Sequence, residues 1–216
     1  SQIIQEFKDG KFFEQKENKP YITYTHLLDL ISVMKNKGTL NFFDYGAGNL
    51  NLFFYLRNNI EKLNYFFFDQ TEILNLLQDF NKIHNLNKLN VGNNQKNEKI
   101  DLLYFGSSLQ YLNNYKDEIS RFKNSTEYLL ISQTPFFKND NLEYEHIVLK
   151  QVNMHPNINF LYSFNYNHFI RFMEHNNFKL INKSLNRVTK FLNFKNFKNE
   201  YKDLDMYDLF FKKYEK

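Results

Sequence analysis

The sequence predicts an α/β protein: a three-layer sandwich around a mostly parallel, seven-stranded sheet that ends in a C-terminal antiparallel hairpin. Three observations lead there. From Leu40 to Phe137 short apolar runs alternate with helix-length segments, the rhythm of a parallel sheet covered on both faces. Beyond that region two extended segments are joined by an irregular stretch instead of a helix, which marks an antiparallel pair. And 216 residues suffice for one domain, residues 1–216, with a sizeable core.

The elements follow in order. Residues 1–37 read as an N-terminal helical extension, polar and charged in its middle and broken at Pro20. From Tyr21 the apolar residues Ile22, Leu27, Leu28, Leu30, Ile31 and Met34 fall on one helical face, and Gly38 stands where a C-terminal cap would. "LNFFDY" (Leu40–Tyr45) is a buried strand, followed by a helix to about Asn58. "LNYFFFD" is the second strand, and "TEILNLLQDFNKIH" the next helix, with Thr71 at its cap. "KLNV" (Lys88–Val91) is a short third strand and "IDLLYFG" (Ile100–Gly106) a strong fourth. "SSLQYLNNYKDEISRFKN" carries helical signals, and "TEYLLISQTPFF" is a fifth strand closed by Pro135. Residues 138–176 form an insertion that covers the substrate, ending in the helix "NYNHFIRFMEHNN". Phe178–Val188 and Met206–Glu215 are the terminal strand pair.

Composition narrows the function. The 28 basic residues are scattered among 24 acidic ones for a net charge of +4; no cluster tracks a phosphate backbone, so no nucleic-acid partner is expected. There is no cysteine, which removes disulfides and Cys-ligated metals and fits a cytoplasmic protein. No signal pattern opens the chain and no apolar run approaches a membrane span, so no membrane partner is expected. The excess of Phe, Tyr, Asn, Lys and Ile reads as a codon bias toward A and T, so no single Asn or Phe is meaningful by its type alone.

The stretch "NFFDYGAGNLNL" carries the chemistry. A turn from a first strand to a first helix needs residues without bulk where a ligand meets the backbone, and glycine also permits positive φ. Helix N-terminal amides then offer donors. Gly46 and Gly48 supply such a turn, but a dinucleotide fingerprint would want glycine at Asn51. Asp44, at the strand's end, is awkward beside a pyrophosphate and suits a ligand with a cationic amine.

"FFDYGAGNL" resembles the first motif of the class I, Rossmann-like S-adenosylmethionine-dependent methyltransferases. Asp44, Gly46 and Gly48 match, and Leu50 stands where a third glycine is usual. The resemblance implies a cofactor site of Asp44, Tyr45, Gly46, Ala47, Gly48 and Asn49. It also implies ribose recognition by Asp69 at the end of the second strand, and adenosine contacts at Gln70 and at "GNN" (Gly92, Asn93, Asn94). Gly106, Ser107 and Ser108, with Gln110 and Tyr111, correspond to the wall beside the methyl group. Further segments ("SSLQYL", "YLLISQTPFF", "HIVLKQV") look like bacterial methyltransferases encoded beside surface-polysaccharide genes, which leans toward a sugar-derived or other small polar acceptor.

Methyl transfer is an in-line displacement that needs positioning and dryness more than covalent help. A hydroxyl acceptor also needs a base. His146 is the candidate, with Glu143 or Glu145 behind it; His155 and His168 are alternatives, while His26, His84 and His175 read as structural. Ser107 and Ser108 read as helix caps. No metal is expected: "NDN" at Asn139–Asn141 offers half of a metal-binding arrangement, but no carboxylate follows the fourth strand. The Asn/Asp-Pro-Pro-aromatic turn that grips flipped bases is missing after that strand. A nicotinamide-dependent enzyme and a non-catalytic binding scaffold remain open as other readings.

Overall fold

The computed structural model describes residues 22–34, 38–48, 50–86, 89–91, 99–138, 143–151, 158–186, 197 and 203–214. They divide into two compact units, one within residues 1–95 and one within 96–216.

The first unit contains α1 (Ile22–Val33), β1 (Leu40–Tyr45), α2 (Asn51–Asn59), β2 (Leu63–Phe68), α3 (Thr71–His84) and β3 (Leu89–Val91). The strands pair in the order β3-β2-β1, all parallel. Parallel strands flanked by crossover helices are apolar on both faces. This is why "FF" in β1 and "YFF" in β2 are unbroken runs, with Phe42, Phe43, Tyr65, Phe66 and Phe67 all buried. Each helix buries one stripe: Leu52, Phe53 and Leu56 on α2, Leu77 and Phe80 on α3. Helix α3 ends at Asn85, whose φ of 45° makes it a left-handed cap. Thr71 is the helix's first residue and not its cap; Gln70 takes that position without a side-chain bond.

The second unit contains β4 (Ile100–Gly106), a 3₁₀ turn (Leu109–Tyr111), α4 (Tyr115–Phe122), β5 (Thr126–Phe137), β6 (His146–Gln151), β7 (Asn159–Asn165), α5 (Tyr166–His175), β8 (Phe178–Leu185) and β9 (Leu204–Lys213). β4 lies parallel to β5; β9 is antiparallel to β5 and β8 antiparallel to β9. The C-terminal strand pair is therefore in place. The class expected from the sequence holds, α/β, mostly parallel, with an antiparallel pair at the C-terminus, but the described residues form nine strands instead of the expected seven.

Three local differences have physical causes. The expected helix after β4 is split into the 3₁₀ turn and α4. Pro135 does not close β5, which continues to Phe137. Opposite it, Met206 turns its carbonyl away to accept the Asn186 N–H at 2.8 Å. Pro135 therefore faces β9 at a position that asks no N–H of it. Finally, part of residues 138–176 is an antiparallel hairpin, β6–β7, with β7 parallel to β5 only at Phe136↔Phe164 and Phe137↔Asn165. β4 leaves that edge of β5 at Ser132, so β7 continues the edge further along. Tyr115, Phe136, Phe164 and Phe169 fill the space beneath, with ring centroids 4.7 Å apart for Tyr115–Phe164 and 5.3 Å for Phe136–Phe169.

Candidate active site

In the first unit the turn after β1 is built as the glycine pattern requires. Gly46 and Gly48 have φ of 72° and 67°, the left-handed region that L side chains avoid. The turn is fastened to the end of β2: Gly46 N–H donates to the Phe68 carbonyl at 2.8 Å. Asp69 then takes the Gly48 N–H on one carboxylate oxygen and the Gln70 N–H on the other, both at 2.7 Å. Each oxygen keeps a further lone pair. A Cβ placed at Gly48 would meet nothing within 4 Å, so the space over the turn is open to a ligand. Leu50, at the N-cap position of α2, makes no side-chain capping bond.

Leu50 answers its own question. Its φ is −92°, which any residue adopts, and its side chain is fully buried. This position needs no glycine, and the leucine points into the core.

Asp44 is nearly inaccessible, at 2% exposure, and accepts a hydrogen bond from the Tyr65 hydroxyl. Register explains the meeting. Phe42 pairs with Tyr65 and Asp44 with Phe67, so all four project from the same face. Tyr65 is itself held by stacking on Phe42 at 5.2 Å and by the edge of Phe53 at 5.3 Å. Burial raises the Asp44 pKa from 3.8 to about 7; the Tyr65 bond lowers it, and the Asp69 charge raises it again. Tyr65 was not singled out in the sequence. Its signal is a lone hydroxyl in an apolar strand on the face that carries Asp44.

In the second unit the turn after β4 rests on a buried polar network. Gly106 lies under the Tyr104 ring, where a Cβ would come within 2.5 Å of the ring edge. Ser107 has a φ of 58°, unusual for a non-glycine, and donates its N–H to the Ser132 carbonyl at 2.9 Å. Gln110, 2% exposed, donates to Ser107 Oγ at 3.0 Å and to the Gln133 carbonyl at 3.4 Å, and accepts from Thr134 Oγ1 at 3.3 Å. Gln133, also at positive φ, sits in the β5 irregularity between Ile131 and Thr134. Asp208 holds that irregularity, accepting from Ser132 Oγ at 2.6 Å, Gln133 N–H at 3.0 Å and Asn186 Nδ2 at 3.0 Å. Ser108 takes the cap position of the 3₁₀ turn, as expected, but without a side-chain bond, whereas Ser107 is not a cap: its Oγ receives the Gln110 amide. Asp208, Gln133 and Asn186 were missed; a lone Asp inside "MYDLFF" was the available clue.

His146 opens β6. Its ring lies edge-on to Tyr162 at 4.6 Å and to Tyr115 at 6.5 Å, and its buried Nδ1 has no hydrogen-bond partner among the described residues. Glu145 is engaged instead by Lys116, whose hydrogen bond holds the carboxyl below its ordinary range; Glu143 is exposed. Asn49, Gly92, Asn93, Asn94, Asn139–Asn141 and His155 lie outside the described residues. Among the described residues no group of three or more His, Cys, Asp or Glu is arranged to hold a metal. None of the described helices is long and apolar enough to cross a membrane.

No protein-family model matches the sequence, and no curated protein sequence does. Solved structures do match. The chain resembles the N-terminal domain of EvdMO1, determined in the presence of SAH (S-adenosylhomocysteine) and D-fucose, with a TM-score of 0.62 at 7% identity, over 91% of this chain and 85% of that one. It resembles an S-adenosylmethionine-dependent methyltransferase from Clostridium acetobutylicum, with a TM-score of 0.55 at 12% identity, over 95% and 97%. It also resembles the [4+2]-cyclase SpnF, with a TM-score of 0.55 at 9% identity, over 87% and 80%. These likenesses define the class: the chain has the class I methyltransferase fold.

Asp69→Ala is expected to weaken SAH binding at least tenfold, because the tether of the Gly48 N–H, a bond to a charged group worth about 1.5–3 kcal/mol, is lost and the glycine turn is no longer held. Calorimetric titration of wild type and variant checks it; equal affinities would remove Asp69 from the site.

Proposed function

We propose that the chain is an S-adenosylmethionine-dependent methyltransferase, one domain over residues 1–216, that methylates a small polar acceptor, an oxygen atom of a sugar-derived or similar metabolite. One observation carries the reading. The Asp44–Gly48 turn holds both glycines at positive φ and is bonded through Gly48 to Asp69 at the end of the next strand. This joins the two landmarks of the motif in one small structure.

S-adenosylmethionine, when bound, supplies an electrophilic methyl group on a sulfonium. Around it the chain's own residues would bind and orient. Gly46, Ala47 and Gly48, with Tyr45 and Asn49, leave room at the backbone; Asp69, with Gln70 beside it, takes the ribose hydroxyls; Asp44 balances the cationic end. Asn93, Gly106, Ser107 and Ser108 belong to the proposal on the strength of the resemblance. His146 is the base assigned to a hydroxyl acceptor, supported by its unpartnered Nδ1 in an aromatic nest. His146→Gln is expected to lower kcat by about 100-fold or more, the usual contribution of a general base, with SAH affinity unchanged. A loss of SAH affinity with kcat preserved would take the role away.

The acceptor class leans on the sequence resemblance to polysaccharide-linked enzymes and on D-fucose beside EvdMO1. SpnF is a cyclase on this fold, so the fold does not by itself fix the chemistry, and a nicotinamide enzyme and a non-catalytic scaffold are the alternative readings. Thermal unfolding with SAH against NAD separates the possibilities. SAH alone should raise Tm; a rise with NAD alone would favour a nicotinamide enzyme, and a rise with neither a non-catalytic scaffold.

A further inference from the structure

Four side chains from four elements of the second unit gather at one place. Lys138 directly follows β5, Tyr166 opens α5, Lys183 lies in β8 and Tyr207 in β9. Lys183 Nζ stands 3.9 Å from the Tyr166 ring centroid and 4.3 Å from that of Tyr207. Lys138 Nζ stands 5.0 Å from the same Tyr207 ring. The two rings, 6.0 Å apart, form a platform that fixes both ammonium groups without cancelling their charge.

The charge balance is uneven. Asp205 is the carboxylate that acts on both lysines, and it already accepts the Tyr207 hydroxyl at 2.8 Å. Among the described residues, two cations therefore face one anion. The imbalance is felt: burial first and then the Lys138 charge hold Lys183 below its ordinary range, while the Tyr207 hydroxyl keeps Lys138 above its own. An anion entering between them would relieve this repulsion. Packing of the rings would be served as well by one lysine, or by none.

Position adds to the case. Lys138 stands just past the carboxyl end of β5, the end of a parallel strand where α/β folds bind ligands. Tyr166 is the first residue of a ten-residue helix, α5, whose Asn167 and His168 N–H groups are already taken by the Asn165 side chain, so the positive charge at this place is that of the two lysines.

We propose that Lys138 and Lys183 form a subsite for an oxyanion, a phosphate or carboxylate group, carried by the methyl acceptor. The word acceptor rests on the methyltransferase reading; the oxyanion site does not. The acceptor is then an acidic metabolite, such as a phosphorylated or uronic-type sugar, instead of a neutral one.

The test uses the full chain without cofactor. Lysine side-chain ¹³Cε resonances are followed while inorganic phosphate or acetate is added, with sodium chloride at matched ionic strength as control. Saturable shifts at Lys138 and Lys183 are expected with phosphate, acetate or both, and the tighter of the two anions names the group. Lys138→Gln and Lys183→Gln should each weaken binding about tenfold, the loss of one charge-assisted bond. Lys212→Gln, which removes a lysine placed 5.4 Å from the Tyr128 ring, should leave it unchanged. Shifts that follow ionic strength alone, or that saturate equally in both Gln variants, would overturn the proposal. SAH titration of the same samples reports on the methyltransferase reading separately, so the two can fail independently.

Discussion

Asp44→Asn is expected to stabilise the protein at pH 8 while weakening its affinity for SAH. Asp44 is buried, and its pKa is raised from 3.8 to about 7, chiefly by burial. A carboxyl whose folded pKa lies above its unfolded value favours folding in its protonated form. That contribution is complete below about pH 4 and is lost as pH rises through about 7, because the folded state binds the extra proton over this interval. At pH 8 the ionised carboxylate is therefore a cost that Asn removes. The new amide N–H₂ needs a partner of its own, which offsets part of the gain, so about 2 kcal/mol is expected. For a chain of this size that is a rise in Tm of about 4–8 °C at pH 8, shrinking to nothing near pH 4.

A group kept at such a cost points to function. A cationic ligand beside Asp44 favours its ionised form, so wild-type affinity for SAH should fall as pH drops below 7, by up to about tenfold per unit. In Asp44→Asn it should be flat with pH and about tenfold weaker at pH 8. Thermal melts and calorimetry across pH 5–8 check both parts. A variant less stable at every pH would show that the carboxylate is structural.

The second large effect is at Asp208. Asp208→Ala is expected to cost about 3 kcal/mol or more, since Ser132 Oγ, the Gln133 N–H and Asn186 Nδ2 all lose their acceptor inside the fold. The corresponding fall in Tm is about 6–12 °C. Asp208→Asn keeps the shape and one acceptor oxygen, so an intermediate loss is expected. The Ala variant should also loosen the turn after β4, because Gln110 bonds the carbonyl of Gln133 and the hydroxyl of Ser107. Denaturant unfolding of the three proteins gives the order; an Ala variant as stable as wild type would mean the donors find water instead.

Much of this architecture was legible because parallel strands buried on both faces are written as continuous apolar runs. "YFFF" and "LLYF" are such runs, and the glycine turn between the first strand and α2 is local by nature. The β6–β7 hairpin was not legible. "HIVLKQ" and "NFLYSFN" alternate only weakly, and β7 gains its place by pairing with the far end of β5, a long-range contact that no local pattern records. The partnership of Asp44 with Tyr65 has the same character: each residue was visible, but only the parallel register puts them on one face. Leu50 worked in the opposite direction. It looked like a defect in the glycine pattern, and the backbone shows that the position never needed a glycine.

If the Asp44–Gly48 turn and Asp69 bind S-adenosyl ligands, the amides of these residues must respond to SAH. Backbone ¹⁵N–¹H resonances during titration with SAH test it most directly. Saturable shifts centred on Gly46, Gly48, Asp69 and Gln70, lost in Asp69→Ala, are the predicted result. Saturable binding that leaves those four amides unmoved, or no binding at all, would contradict it.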